Sequence, residues 1–150
     1  MHSLTQQARP EFFRQPGRRA EENVSPTFAL VLQAFLQLVR FDPLLIRGNF
    51  AAIHKRVRGS PIDRSSALAS DVGQICAAVD LASVCYWHRI LCLQRSAATA
   101  CLLKRFGVPA QMVIGIQHFP FRAHAWVEVD GRVVSDKPDM QAVYEVLDRW

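Results

Sequence analysis

The stretch RAHAWVEVDGRVVSD, residues 122–136, decides how the chain is read. Trp126, Val127, Val129, Val133 and Val134 are strand formers on either side of Asp130-Gly131, a strong short-range hairpin signal. Two registers compete. A two-residue turn at Asp130-Gly131 pairs Val129 with Arg132 and places Ala125 opposite Asp136, so that His124 and Asp136 point to opposite faces. A three-residue loop, Val129-Asp130-Gly131, with a bulge at Gly131, pairs Glu128 with Arg132, Trp126 with Val134 and His124 with Asp136. The second register sorts Ala125, Val127, Val133 and Ser135 onto a mostly apolar face. It leaves His124, Trp126, Glu128, Arg132, Val134 and Asp136 on the other, and a one-residue slip mixes the sets. The three-residue loop is therefore preferred. It sets an imidazole beside a carboxylate, the arrangement that orients a catalytic base.

Such a pair needs a group to activate. Cys92 opens the segment CLQRSAATACLLKRF, which predicts a helix over residues 92–106 ending at Gly107 with Pro109 behind it. A thiol at a helix start gains from free N–H groups and from the dipole. Small side chains between Ser96 and Ala100 suit close packing on a sheet, with Leu93, Ala97, Ala100 and Cys101 as the buried stripe. Cysteine at a helix start and histidine with aspartate on a hairpin make a Cys92–His124–Asp136 triad for acyl transfer. By contrast, Cys76 falls on an apolar helical face and reads as a small buried hydrophobe.

The surrounding chain gives this site one domain. Its 150 residues are 50% hydrophobic and 21% charged, an ordinary globular balance. Four cysteines without a CxxC pair argue for reduced thiols and a cytoplasmic setting. Residues 1–24 are polar, with Pro10, Pro16 and Gly17, and are expected to form a flexible segment ahead of a single domain at 25–150. Ser25-Pro26 reads as a helix start and Asp42-Pro43 as its stop. The apolar run between them is too short to span a bilayer. Residues 48–64 read as mixed helix and loop, residues 66–85 as a second helix, AQMVIGIQ as a buried strand, and MQAVYEVLDRW as a last helix. Helices first and an antiparallel sheet afterwards predict an α+β fold.

The formal net charge is +5, with a local cluster, HKRVR, at residues 54–58. A solvated basic face accounts for it, with an acidic peptide as the second candidate partner. No nucleic-acid-binding signature is present. Cys85, His88 and Cys92 do not follow a zinc spacing. No metal or cofactor is expected. His54 and His118 are expected to face solvent, and His88 to lie at the surface or the edge of the site.

The segments CLQRSAATACLLKRFGVPAQMVIGI and PFRAHAWVEVDGRVVSD resemble the transglutaminase-like leader peptidases of lasso-peptide biosynthesis, over roughly residues 28–150. The resemblance implies a papain/transglutaminase-like fold with N-terminal helices and a central helix packed on a small antiparallel sheet. It also implies removal of the leader from a ribosomally made precursor before an ATP-dependent partner cyclase closes a lactam. It assigns Cys92 as nucleophile, His124 as base and Asp136 as orienting acid. Some members carry a fused leader-binding module. The N-terminal portion here lacks room for one, so the stand-alone form with a separate leader-binding protein is expected. A transglutaminase or amidase with the same triad, or a non-catalytic protein that docks precursor or cyclase, are the alternatives.

Overall fold

The computed structural model describes residues 25–63 and 71–150. The expected flexible segment, 1–24, and the start of the second predicted helix lie outside the described residues. Among the described residues five helices and four strands follow in the order α1 (Phe28–Ile46), α2 (Phe50–Arg58), α3 (Val72–Val84), α4 (Cys92–Arg105), β1 (Ala110–Gln117), β2 (Arg122–Val129), β3 (Arg132–Val133), α5 (Met140–Val143) and β4 (Glu145–Arg149). The strands form one antiparallel sheet in the order β3-β2-β1-β4. This is the α+β architecture expected.

Helix α1 starts later and ends later than the sequence reading. Thr27, not Ser25, is the N-cap, and its hydroxyl accepts from Leu30 N–H at 3.4 Å. The helix runs through Pro43 to Ile46. Proline removes one backbone donor, but Leu44 and Leu45 beyond it pack against the core, and that burial outweighs the lost bond. At 19 residues α1 is long and apolar enough to cross a bilayer by length and composition. Its Leu30, Ala34, Leu38 and Phe41 instead enter the protein core, where α1 packs on α3 and α4.

Helix α4 is the centre of the molecule. A single buried stripe was expected; every residue from Ser96 to Lys104 is buried, and Gln94 with them. Helices α1 and α3 cover one side and strands β1 and β2 the other, so small side chains are needed all round. The helix closes with paired bonds from Gly107 N–H to Lys104 O and Val108 N–H to Leu103 O, both 3.0 Å, with Gly107 at φ +80°.

Alternation along the strands divides the core. Ala110, Met112, Ala125 and Val127 face the helices, while Val113 and Trp126 pack on the far face with Met140, Val133, Tyr144 and Val146. A Cβ on Gly115 would lie 2.7 Å from the Trp126 ring and 2.9 Å from Tyr144 Cβ, so only glycine lets the indole lie flat on β1.

Two predicted elements change. The hairpin takes the two-residue turn: Val129 pairs with Arg132 and Glu128 with Val133. Asp130 and Gly131 both hold positive φ, +49° and +74°, as a type I′ turn requires. Val133 therefore joins the Trp126 face and Val134 the helix face, the reverse of the expected sorting. The predicted last helix is one turn, α5, followed by β4, which pairs with the open edge of β1. Alternation of Tyr144 and Val146 onto the Trp126 face, and the unpaired groups of that edge, decide for strand.

Candidate active site

Cys92 is the first residue of α4 and is exposed. Leu91 at the N-cap has no side chain that accepts a hydrogen bond, so the first N–H groups of the helix lack a side-chain cap. The approach to Cys92 is fixed from below. Gln94 is 1% exposed and donates to Leu38 O at 3.0 Å and to Asp42 Oδ1 at 2.5 Å. Tyr86 donates to Asp42 Oδ2, and His88 Nε2 lies 3.4 Å from the same oxygen. These bonds anchor both ends of the segment that leads into the helix. Asp42, read from sequence as a helix stop, is the hub of that anchor.

His124 is on β2, and its Nε2 meets Asp136 Oδ2 at 2.8 Å. An ionised carboxylate only accepts, so Nε2 carries the proton; in the neutral ring Nδ1 is left with a lone pair. The ring lies near those of Trp126 and Tyr144, with centroids at 6.4 and 5.5 Å. Asp136 Oδ1 also accepts from Lys137 N–H at 2.8 Å. Burial alone would raise the Asp136 carboxyl. The His124 bond, the Lys137 N–H and the charges of His124 and Arg95 outweigh it and hold the group below the usual aspartate value.

The two residues meet although the register that predicted their meeting is wrong. Continuing the observed ladder would put Asp136 opposite Ala125, on the helix face. The ladder stops first. Val134 N–H still donates to Val127 O at 2.9 Å, but Val127 N–H turns to the Ser135 hydroxyl at 2.9 Å instead of a backbone carbonyl. The side chain substitutes for one rung, the backbone leaves the sheet, and Asp136 swings to the imidazole.

Two further bonds fasten this hairpin to the helix that begins at Cys92. Ser96 Oγ donates to Ala125 O, next to His124, at 2.8 Å. Arg95 Nη2 donates to Ser135 O, next to Asp136, at 2.9 Å, and reaches Asp80 Oδ1 on α3 at 2.7 Å. Cys92 is thus one helical turn, about 5–6 Å of rise, from the level at which α4 holds β2. Sequence reading missed Arg95, Ser96, Gln94 and Ser135. Their signal was only polar residues on an otherwise apolar helix, and one serine beside the acid.

A groove of about 630 Å³, lined by Asp80, Ser83, Tyr86, His88, Arg89 and Arg95, runs beside the segment preceding Cys92. Burial pushes the Cys76 thiol up to about 11, with Asp80 adding to the effect, and burial also raises Cys101. Cys85 is exposed at the C-terminal end of α3. His118 is exposed and pairs with Glu145 at 2.8 Å. His54, expected in solvent, is only half exposed and packs edge-on against Trp150, with ring centroids 4.8 Å apart.

Residues 35–149 match the family model of the transglutaminase-like superfamily. Over 56 residues the chain is 39% identical to the microcin J25-processing protein McjB of Escherichia coli; the aligned part is 37% of this chain and 27% of that protein. The chain thus spans about a quarter of the length of that relative. No solved structure matches.

Proposed function

The chain belongs to the transglutaminase-like superfamily, and on that premise we propose that it is a cysteine peptidase that removes the leader from a lasso-peptide precursor. Cys92 is the nucleophile, His124 the base and Asp136 the orienting acid. The observation that carries the reading is the His124–Asp136 hydrogen bond on a hairpin that Ser96 and Arg95 tie to the helix starting at Cys92.

In this scheme Nδ1 of His124 takes the Cys92 proton, and the thiolate attacks the carbonyl at the leader–core junction. The oxyanion is met by the Cys92 backbone N–H at the uncapped helix start. Collapse of the tetrahedral intermediate breaks the C–N bond, and the imidazolium protonates the leaving amine. Water, deprotonated by His124, then hydrolyses the thioester and restores the thiol. Asp136 keeps Nε2 protonated and stabilises the imidazolium. None of these steps calls on a metal or cofactor.

Similarity to a microcin-processing protein supports the substrate class, as does the family resemblance of the two motif segments. The same resemblance assigns a separate leader-binding protein and an ATP-dependent lactam-forming cyclase as partners. The superfamily match equally supports acyl transfer to an amine. Purified chain incubated with precursor, with and without hydroxylamine, distinguishes the two by mass spectrometry. Free core peptide with a leader ending in a carboxylate is expected. A leader found only as hydroxamate or amine adduct would identify a transferase, and uncut precursor in the presence of every partner would identify a docking protein.

A further inference from the structure

At the other end of α4 from Cys92 a second cavity opens, of about 280 Å³, lined by Gln37, Arg40, Arg56, Ser60, Pro61, Asp63, Cys101 and Arg105. It continues into a shallower groove that shares Arg56, Ser60 and Pro61 and adds Lys55. Four cations from three different helices, Arg40 of α1, Lys55 and Arg56 of α2 and Arg105 of α4, thus line one continuous depression, with Asp63 the one carboxylate among its described lining residues. All four cations are exposed.

Helix ends attract cations, and that explains part of the charge: Lys55 and Arg56 are in the last turn of α2 and Arg105 in the last turn of α4. It does not explain the rest. Lys104 already serves the end of α2, donating to Val57 O at 2.7 Å from a buried position. Arg40 is in the interior of α1, away from either helix end. Arg56 donates through Nη1 to Arg40 O at 3.3 Å and lies over the Phe41 ring at 6.0 Å, two contacts that orient its plane. A fixed guanidinium fork is suited to a carboxylate. Several such groups in a row, over two adjoining cavities, suit successive carboxylates along a chain better than one small anion.

We propose that this groove binds an acidic peptide segment. Arg105 lies thirteen residues after Cys92 along the helix, roughly 20 Å at 1.5 Å per residue. An extended chain needs at least about six residues to cover that distance. Binding here is independent of the chemistry at Cys92. Joined to the peptidase reading, on which this last step rests, it makes the groove an exosite for Asp- or Glu-rich sequence six or more residues from the cleaved bond.

The test uses a fluorescein-labelled octaglutamate peptide and fluorescence anisotropy with the full chain. Saturable binding is expected, weakened at least tenfold in the Arg40→Gln/Arg105→Gln double variant and in Lys55→Gln/Arg105→Gln. The hairpin double variant Arg122→Gln/Arg132→Gln, which removes the same charge elsewhere, is expected to bind within twofold of wild type. Equal weakening in all three would show diffuse charge attraction and overturn the site. So would unchanged affinity in both groove variants, or no binding to wild type. Displacement of the peptide by equimolar inorganic phosphate would make it a small-anion site and overturn the peptide assignment. Thermal melts confirm folding, and because no cleavage is read, failure here leaves the peptidase reading intact.

Discussion

Asp136→Asn preserves shape and removes one charge. In the structure the carboxylate and imidazole are joined at 2.8 Å, with side chains 21% and 25% exposed. Charge centres about 4 Å apart attract by about 4 kcal/mol at an effective dielectric of ~20, and partial solvent access lowers this. A loss of about 2–4 kcal/mol of imidazolium stabilisation corresponds to a fall of roughly 30- to 1,000-fold in kcat. The amide adds to the loss, because its NH2 can hold the ring in the wrong tautomer. KM should change little, since the charge acts when His124 is protonated. The assay is steady-state cleavage of a precursor peptide followed by mass spectrometry. A kcat within threefold of wild type would refute the role given to Asp136. The same substitution has a stability signature of known sign. The Asp136 carboxyl is held below its ordinary value, so its contribution is present above the unfolded value, about 3.9, and disappears as pH falls through the folded value. The Tm gap between wild type and Asp136→Asn should be open at pH 7 and close below about pH 4.

Cys92→Ala should abolish cleavage while Cys76→Ala, Cys85→Ala and Cys101→Ala retain it; full turnover by Cys92→Ala removes the nucleophile. At pH 7.5, brief iodoacetamide treatment should label exposed Cys92 and Cys85 well before Cys76 and Cys101, whose thiols burial raises; peptide mapping reads the order. Gly115→Ala should destabilise by about 1–3 kcal/mol through overpacking against Trp126, seen as a lower midpoint in urea with m unchanged. A leader-binding partner should raise the cleavage rate at limiting precursor by tethering, mainly through KM; equal rates with and without it would show that the chain recognises leader unaided.

What was legible in the sequence depended on range. Helix α4, its glycine terminator and strand β1 carry their own periodicity and caps, and their positions followed. The hairpin was recognised, but its register was chosen by the sorting of Ala125, Val127, Val133 and Ser135 onto one face, which also set His124 beside Asp136. The chain reaches that contact by another route, in which the Ser135 hydroxyl takes a backbone donor and ends the ladder. No pattern of hydrophobic alternation contains that event. Likewise β4 is a strand because β1 has an open edge, a fact of the assembled sheet and not of the segment Glu145–Arg149. Asp42 and Gln94, 52 residues apart, meet only once α1 and α4 are packed.

The burial of α4 on all sides constrains how this protein can diverge. Most helices have a solvent face on which substitutions accumulate freely. From Ser96 to Lys104, α4 has none, so an added methylene at most positions meets α1, α2, α3 or the sheet. A saturation-mutagenesis map should show an intolerant block there, bounded by permissive positions. Variation in this element is then confined to its two tips. One carries Cys92 and the other Arg105, so the sequence freedom of the central helix lies where contacts with other molecules are made.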